Sequence, residues 1–381
     1  MVLKRRRAVR LLVVAVAGIA WWMLPATAQA RTINVAPTGS TTAIQNAINE
    51  AAPGDTISVA SGTYSGPTIS VKTSGLTITG SAAAIINAKG NTYGITVGKK
   101  LEFEETPTGP VCPAREVSNF KISGLTVENA EIGIFLFSVD KFQVAGGIYV
   151  NNTEYGIFPR CSRDGLISGN SGGGGNDATI YVGEDENTTV ENNGLTNGEF
   201  GVELENTNNS VVRNNLATTN TAGIFVIVLP GLPKGSTETA LIEGNNVNKN
   251  NRPNPFPPVT CTSPGTPPGC QEFFDDKQLL PSGTGILNVG GQKVTIRNNN
   301  VTSNNTVGVG VVEDSLTSPT ISSNETRITN NLIQQNGKSP DPRTSGSGDI
   351  VYLDNPANGS CISGNVFKTS FFPFGEPPAC T

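Results

Sequence analysis

The sequence contains no histidine among its 381 residues. Without an imidazole, the chain cannot form a Ser-His-Asp or Cys-His catalytic site, a histidine metal site or a histidine general base. A Cys-x-x-Cys motif is also missing, which argues against a zinc or thiol-redox centre. The lack of histidine is the strongest exclusion that the sequence makes.

Long apolar stretches are absent after the first thirty residues. Lys4 and Arg5–Arg7 precede the apolar run Leu11–Leu24, and Ala28–Ala30 has the small-x-small pattern of a cleavage site. We therefore expect residues 1–30 to be a secretory signal peptide and the protein to be exported, to the periplasm, the cell surface or the medium. The run is about 14 residues, shorter than the ~20 of a transmembrane helix, so no membrane insertion is expected after cleavage.

The expected mature chain is acidic. Of 26 Lys and Arg residues, five fall in the signal segment, which leaves 21 against 31 Asp and Glu and a net charge of −10. This balance argues against a nucleic-acid partner. A polyuronate ligand would need Ca²⁺ or a local basic patch to offset repulsion, so Ca²⁺ is the one cofactor that we keep open.

The six cysteines are expected to be disulfide-bonded, because an exported chain folds in an oxidising compartment. Several pairings are compatible with the sequence. Proximity favours one short loop closure and one link that holds the C-terminal tail, and the third pair follows by elimination: Cys261–Cys270, Cys361–Cys380 and Cys112–Cys161.

A short motif recurs through the chain. It consists of a β-branched residue, two small or polar residues, one or two Asn and two further short strands. It begins at Ile122, Val144, Ile167, Val190, Val212, Ile242, Ile296, Ile328 and Ile362, and the first four intervals are 22 or 23 residues. Such a period predicts an all-β, single-stranded right-handed parallel β-helix of three-strand rungs, in which inward Ile and Val stack into one core.

Asparagine occupies the same corner of successive repeats. Stacked side-chain amides would form a ladder there, and Asn tolerates the left-handed backbone that a tight corner needs. We prefer this structural interpretation of the many Asn-Asn pairs to glycosylation or ligand binding.

Both ends of the solenoid are predicted to be capped. Thr42–Ala51 has the apolar spacing of a short amphipathic α-helix, which would cover the first rung, and a strand over Thr56–Ala60 and a turn at Gly62–Tyr64 follow. We assign residues 31–381 to one β-helix domain with these parts: an N-terminal cap region 31–64, insertions 99–117 and 251–281, and a C-terminal cap 366–381.

Two blocks of sequence resemble known proteins. The segments Ala43–Ile48, Pro53–Thr56 and Gly62–Tyr64 resemble the N-terminal cap of pectin-lyase-like right-handed β-helix proteins. The second block resembles a bacterial family of exported parallel β-helix repeat proteins, in the segments Ile180–Gly183, Gly201–Asn206, Ala222–Pro233, Asn250–Asn254 and Gly283–Ile286. This resemblance covers nearly the whole mature chain and implies fold and export, without an established biochemical function.

Two positions depart from that family. Val228 stands where the family commonly has Asp, and Arg252 where it commonly has His. Chemistry that those positions carry in relatives would be lost here.

The third strand of each rung is predicted to carry an aromatic outer face with one polar cluster. Its outward positions, taken with a period of two, are Phe135, Phe158, Arg160, Tyr181, Glu203, Glu205 and Phe225. The Phe rings are candidate platforms for stacking on sugars. The further candidate ligand-binding residues are Asn206, Arg252 and Asn254.

The polar cluster is the candidate catalytic site. Glu203 and Glu205 should lie about 6.5–7 Å apart, with Tyr181 about one rung from Glu203 and Arg160 about two rungs from Glu205. This spacing is near the boundary between retaining and inverting glycosidases. Alternatively, the two carboxylates could hold Ca²⁺ while Arg160 or Arg252 acts as the base of a β-elimination.

A competing structural interpretation covers the same residues. Insertions 99–117 and 251–281 could pack over this face, because exposed Phe and Ile need a cover, and the Glu pair would then be structural. Glu184 and Asp185 are candidate Ca²⁺ ligands at a rung corner, although we favour a solvated turn for this acidic run.

Three functions follow, in the order that we favour. The first is a monomeric cell-surface or periplasmic module that binds a polysaccharide or a surface protein. The second is a polysaccharide lyase, C5-epimerase or glycoside hydrolase that uses Glu203, Glu205, Tyr181 and Arg160. The third is a purely structural surface protein. Binding ranks first because a fold hosts many functions and the histidine-bearing signatures of β-helix enzymes are absent.

Overall fold

A computed structural model describes residues 29–256, 280–313, 320–344 and 346–381. Residues 1–28 of the predicted signal peptide and most of the 251–281 insertion, including Cys261 and Cys270, lie outside these residues. In the part of the chain described, no helix is long and apolar enough to span a membrane.

Three parallel sheets run along the solenoid, and each complete rung contributes one strand to each of them. Sheet one contains Thr32–Val35, Thr56–Val59, Thr77–Thr79, Val117–Ser123, Val139–Ala145, Leu166–Ser168, Thr189–Glu191, Val211–Arg213, Leu241–Glu243, Thr295–Arg297, Arg327–Thr329 and Cys361–Ser363. Sheet two contains Gly62–Ser65, Ala84–Asn87, Thr126–Glu128, Ile148–Val150, Ser171–Gly173, Gly194–Thr196, Leu216–Thr218, Asn246–Asn248, Asn300–Thr302 and Leu332–Gln334.

Sheet three carries the longer strands of the rungs. It contains Ile69–Val71, Tyr93–Val97, Ile132–Phe137, Tyr155–Arg160, Ala178–Gly183, Phe200–Glu205, Ala222–Ile227, Thr284–Val289, Val307–Val312, Gly348–Leu353 and Ser370–Phe371. A separate antiparallel hairpin, Glu104–Thr106 with Gly109–Val111, lies in the first insertion. The arrangement is the predicted parallel β-helix of three-strand rungs.

Successive rungs pair in register, so that equivalent residues stack. In sheet three, Ile180 pairs with Val202, which pairs with Ile224, and all three side chains are fully buried. Burying each such side chain contributes about 1.5–3 kcal/mol. One rung cannot enclose its own apolar side, and the stacked inward columns of all rungs form the core.

The predicted asparagine ladder lies at the corner between sheets one and two. Asn215 Nδ2 donates to Oδ1 of Asn245 at 3.0 Å and to the Val190 carbonyl at 2.9 Å, and the pattern repeats from rung to rung. The ladder runs through Asn170, Asn193, Asn215, Asn245, Asn299, Asn331 and Asn365.

The Asn-Asn pairs divide two tasks. The first residue adopts the left-handed backbone of the corner, with φ of 57° at Asn192 and 54° at Asn214. The second, such as Asn193, is buried and extends the ladder. This division explains why the residue type is doubled.

A second ladder, which the sequence analysis did not predict, lies between sheets two and three. Asn220, Asn250 and Asn304 each donate Nδ2 to the asparagine of the next rung, at 3.0–3.2 Å, and Asn336 donates to Asp349 in the strand that follows it, at 3.0 Å. The last acceptor is Asp349, whose carboxylate also accepts from the backbone N–H groups of the segment that follows the final Asn-bearing corner.

The helix at the N-terminal end is Thr41–Glu50, as predicted to within one residue. Ser40 Oγ caps it by accepting from the Thr42 N–H at 3.2 Å, and Ile44, Ala47 and Ile48 pack on the first rungs. The helix covers a strand edge that would otherwise pair with another chain.

The prediction of a turn at Gly62–Tyr64 is wrong. Gly62–Ser65 is the first strand of sheet two, and Tyr64 stacks on Ile86. The inward Tyr64 ring is buried, and its hydroxyl donates to the Ala60 carbonyl at 2.8 Å. Burial of the aromatic ring therefore outweighs the turn preference of the glycine before it.

Asp55 anchors the segment that precedes the first rung. Its carboxylate accepts from Nε and the backbone N–H of Arg31, at 2.9 and 3.0 Å, and from the Ala52 N–H at 2.9 Å. These hydrogen bonds to Arg31 hold the Asp55 pKa at about 2.

The C-terminal end is closed by the tail. Ser370–Phe371 pairs with the last long strand of sheet three, and the Ile362 N–H donates to the Pro378 carbonyl at 2.9 Å. Cys361 is bonded to Cys380, and Cys112 to Cys161, as predicted.

Candidate functional site

The outer face of sheet three is covered, and the expectation of an open aromatic surface is wrong. Phe135, Phe158 and Phe225 are only 4, 6 and 3% exposed. They belong to a second apolar cluster outside the main core, which also contains Phe137, Phe200, Ile227, Leu280 and Leu287. Rings buried this way cannot stack on a sugar unless the cover moves.

The cover includes residues 99–116, which we call the strap. The Phe103 ring lies 5.7 Å from that of Phe137, and Leu101 packs on the same cluster. Cys112 ties the strap to Cys161, and Arg115 Nε donates to the Cys161 carbonyl at 2.8 Å. The first insertion therefore packs over the outer face of sheet three, as the competing structural interpretation predicted.

The predicted catalytic residues Tyr181, Glu203 and Glu205 lie together on the outer face of sheet three. Tyr181 pairs with Glu203 on the next rung, as predicted. The phenolic hydroxyl reaches diagonally past that partner and donates a hydrogen bond to Oε1 of Glu205. All three side chains are buried. The sequence predicts that these residues lie close together, but it does not predict that their side chains are buried.

Burial raises the pKa values of two members of this cluster, Glu205 and Tyr181. It raises the pKa of Glu205, with smaller contributions from Glu184 and Asp177, while the Tyr181 hydrogen bond and Arg160 oppose the rise. Burial also raises the pKa of Tyr181 well above its ordinary value. Glu205 is therefore suited to hold a proton, as a general acid does.

Arg160 is held by a partner that the sequence analysis did not assign to it. Its Nε and Nη2 donate to the two carboxylate oxygens of Glu184, at 2.6 and 3.0 Å, and its Cζ lies 4.4 Å from the Phe103 ring centroid. The expected solvated turn is thus wrong for Glu184, which is fully buried. Because the guanidinium is paired, it is not placed as the base of an elimination.

Asp185 is also buried, contrary to the solvated-turn interpretation. Its Oδ1 accepts from the Glu186 N–H at 2.6 Å and from Thr188 Oγ1 at 2.8 Å, and burial raises its pKa to about 7. Lys234 Nζ donates a hydrogen bond to the Asp185 backbone carbonyl at 2.7 Å. Across the described residues, no group of three or more acidic or cysteine side chains could hold a metal, so the geometry gives the Ca²⁺ prediction no support.

The three remaining candidate binding residues make contacts within the protein. Asn206 is buried and exchanges hydrogen bonds with the backbone of Leu229, both at 2.7 Å, which fixes the loop after Ala222–Ile227. Arg252 Nη1 donates to the Gly175 carbonyl at 3.2 Å, and Asn254 Nδ2 to the Leu280 carbonyl at 2.8 Å. Asn206 is therefore a structural residue, a correction to its predicted role.

The outer face of sheet two is open and was missed by the sequence analysis. From Ser171 to Gln334 its outward positions are uncharged: Ser171, Gly173, Gly194, Thr196, Leu216, Thr218, Asn246, Asn248, Asn300, Thr302, Leu332 and Gln334. Leu216 and Leu332 are 42 and 41% exposed. The period of two that was applied to the third strand of each repeat would also have found this face on the second strand.

Hydrogen bonds order part of this face. Thr218 Oγ1 donates to Oδ1 of Asn248 at 3.1 Å, and Asn248 Nδ2 donates to Oδ1 of Asn246 at 2.9 Å. Side-chain amides and hydroxyls both donate and accept, so the face offers both polarities to a ligand.

Comparisons with known proteins agree with the fold. A family model for the right handed beta helix region matches residues 114–256. The A-module of the Azotobacter vinelandii mannuronan C-5 epimerase AlgE4 is similar over 91% of this chain and 99% of that one, with a TM-score of 0.61 and 15% identity. DFA-IIIase from Arthrobacter chlorophenolicus A6 is similar over 89% and 88%, with a TM-score of 0.57 and 12% identity.

A phage protein shares the same architecture. The tailspike of E. coli bacteriophage HK620, solved with a pentasaccharide, is similar over 87% of this chain and 59% of the tailspike, with a TM-score of 0.55 and 13% identity. A search of curated proteins finds no match. The chain thus has the predicted right-handed parallel β-helix fold, and at these identities the likeness extends to the fold alone.

Proposed function

We propose that this protein is an exported module that binds a neutral polysaccharide along the open outer face of sheet two. The observation that carries the proposal is the uncharged row of amide, hydroxyl and small side chains on that face. Sheet three, by contrast, has its predicted sugar-stacking rings buried.

The chemistry of the row fits a neutral polymer. Equivalent side chains recur at the rung spacing of ~4.8 Å, so a glycan chain lying along the solenoid meets the same donors and acceptors repeatedly. Exposed Leu216 and Leu332 offer apolar contact for sugar C–H groups. The acidic balance, 31 Asp and Glu in the whole chain, disfavours a polyuronate on a face without basic groups.

Two further features support the proposal. Disulfides such as Cys112–Cys161 fit an oxidising compartment outside the cytoplasm. The tailspike with its pentasaccharide is a protein of the same architecture that holds a glycan, which supports a glycan role at the level of the fold.

A binding experiment tests the proposal. Calorimetric titration with cellohexaose, mannohexaose and xylohexaose should detect binding of at least one of them, and oligogalacturonate should bind more weakly. The double variant Asn246→Ala, Asn300→Ala should lose roughly 30-fold in affinity, since each hydrogen bond contributes about 1 kcal/mol.

The matched control lies on the same two rungs. Leu241→Ala with Thr295→Ala changes the corresponding outward positions of sheet one, which pair with each other there. The control should bind like the parent protein. An equal loss in both double variants, or no binding of any neutral hexasaccharide, would contradict the proposal, and the latter would favour a structural protein or a protein partner.

A second candidate function is acid-assisted cleavage or epimerisation of a polysaccharide at Tyr181, Glu203 and Glu205. The hydrogen bond from Tyr181 to a carboxyl whose pKa is raised favours it. Incubation with alginate, polygalacturonate and neutral glycans should then give unsaturated, inverted or shortened products. Glu203→Gln and Glu205→Gln should abolish product formation, and full activity in either variant would exclude its role.

A further inference from the structure

Two adjacent rungs of sheet two carry almost no outward side-chain bulk. Their outward positions are Ser171 and Gly173 on one rung and Gly194 and Thr196 on the next. Longer side chains lie on either side, with Ile148 and Val150 on the preceding rung and Leu216 on the following one. The floor between these side chains is backbone.

This arrangement forms a shallow trough across the solenoid, which we call the glycine trough: Ser171, Gly173, Gly194 and Thr196, with Ile148 and Leu216 as its walls. The walls are three rung steps apart, about 14 Å at the usual strand spacing. Leu216 is among the most exposed large apolar residues described. The trough thus combines an apolar wall, a flat floor and two hydroxyl groups.

The two glycines differ in what the fold requires of them. Gly173 has a φ of 155°, and a Cβ there would lie 1.5 Å from the Thr196 carbonyl oxygen, so the backbone demands glycine. Gly194 does not have a positive φ, and the nearest atom to an added Cβ is Ser171 Oγ at 3.9 Å. Neither backbone strain nor packing explains glycine at position 194.

Glycine also weakens a strand, because it is flexible and contributes no side-chain packing. In the next rung the position equivalent to Gly194 is occupied by Leu216. A leucine at 194 would continue that row and fill the trough. The missing side chain therefore makes space on the face at the expense of strand stability.

We propose that the glycine trough is a subsite for one pyranose ring of a neutral glycan, which lies flat on the floor at Gly194. In this geometry the C–H groups of the sugar pack against Leu216, and Ser171 Oγ and Thr196 Oγ1 are available to its equatorial hydroxyls. The inference rests on the proposed function and adds where a single sugar residue is recognised. The absence of charged side chains from the floor and walls matches a neutral sugar.

The test fills the trough without disturbing the fold. Gly194→Leu should reduce the affinity for cellohexaose, mannohexaose or xylohexaose, whichever the parent protein binds, by at least tenfold. Its unfolding midpoint in urea should equal or exceed that of the parent. The matched control is Gly235→Leu, at an exposed glycine with open space around it in a loop away from sheet two, and it should leave affinity unchanged.

A second variant covers the case in which Gly194→Leu does not fold. Leu216→Ala removes an exposed wall residue and should weaken binding several-fold with little change in stability. If Gly194→Leu and Leu216→Ala bind as tightly as the parent while Asn246→Ala with Asn300→Ala does not, the subsite is refuted and the proposed function stands. If the parent binds no neutral hexasaccharide, both fail together.

Discussion

Tyr181 and Glu205 lie on neighbouring strands of sheet three, and the phenolic hydroxyl of Tyr181 donates to the buried carboxyl of Glu205. The hydrogen bond joins them diagonally, because Tyr181 stands directly beside Glu203 and its ring spans the two residues to Glu205. This contact is a sensitive probe of the covered face, since it links a proton equilibrium to the stability of the fold.

Removing that donor should destabilise the protein in a pH-dependent way. The pKa of Glu205 lies above its ordinary value of 4.5. Its neutral form therefore contributes fully to the stability of the protein below pH 4.5, and this contribution is lost as the pH rises through the raised pKa. Tyr181→Phe removes a group that opposes the rise, and it should cost about 1 kcal/mol at pH 5 and about 2 kcal/mol at pH 9. Urea unfolding at both pH values measures the difference.

Tyr64→Phe is the control for this prediction. Its hydroxyl donates to a backbone carbonyl, which does not titrate, so its cost should be the same at both pH values. A Tyr181→Phe cost that does not change with pH would show that Glu205 does not titrate in this range.

Asp185→Asn should stabilise the protein at high pH. Burial raises the Asp185 pKa from 3.8 to about 7, so its neutral form favours folding below 3.8 and this contribution is lost as the pH rises through 7. Asparagine stays neutral and keeps an oxygen for Thr188. The variant should match the parent near pH 4 and exceed it at pH 8, by a few kcal/mol at most.

Asp55→Asn should have the opposite dependence on pH. The hydrogen bonds from Arg31 lower the Asp55 pKa from 3.8 to about 2, so its contribution is fully present above 3.8 and is lost as the pH falls through 2. The variant should be less stable than the parent at pH 7 and approach it near pH 2, as measured by urea unfolding.

One control serves both carboxylate variants. Asp164→Asn changes an exposed corner residue whose left-handed φ of 53° also suits asparagine. It should have little effect at any of these pH values. If it shifts stability as strongly as the other two, net charge rather than the local site governs the response.

Substitutions in the buried asparagine ladder between sheets one and two should lower the free energy of unfolding far more than substitutions on the outer face of sheet two. Asn245→Ala removes Oδ1, which accepts from the backbone and side chain of Asn215, and Nδ2, which donates to Asn299 and Val212. Leaving these buried groups unpaired should cost on the order of 3 kcal/mol. Asn246→Ala, on the same rung but facing outward, should change the free energy of unfolding by less than about 0.5 kcal/mol. Equal costs would contradict the ladder.

The repeat predicted most of the architecture because it is local. The period from Ile122 to Val212, the doubled Asn at the corner and the apolar spacing of Ile44, Ala47 and Ile48 each follow from a few neighbouring residues. The same pattern placed Tyr181 beside Glu203. The repeat could not predict which outward face is open, because that depends on which sheet residues 99–116 pack against.

Pairing between distant residues explains the other differences. Glu184 follows a strand and precedes two acidic residues, which is typical of a solvated turn. Arg160 lies 24 residues earlier, and the rung brings its guanidinium onto Glu184. No local sequence pattern predicts that ion pair, in which a residue expected in a solvated turn is the buried partner of Arg160.

The second asparagine ladder, between sheets two and three, ends at Asp349. Its hydrogen bonds all run in one direction, from each amide donor to the acceptor that follows it along the chain. An asparagine side chain accepts a hydrogen bond from one rung with its oxygen and donates one to the next rung with its amide N–H. Each asparagine therefore provides the donor for a further rung. An aspartate side chain accepts on both oxygens and has no N–H to donate to a further rung: Asp349 accepts from the Asn336 amide on one oxygen and from the Lys368 and Thr369 N–H groups on the other. The change from amide to carboxylate thus ends this ladder and joins it to the backbone of the C-terminal segment, which forms the last, partial turn with Cys361–Ser363 and Ser370–Phe371.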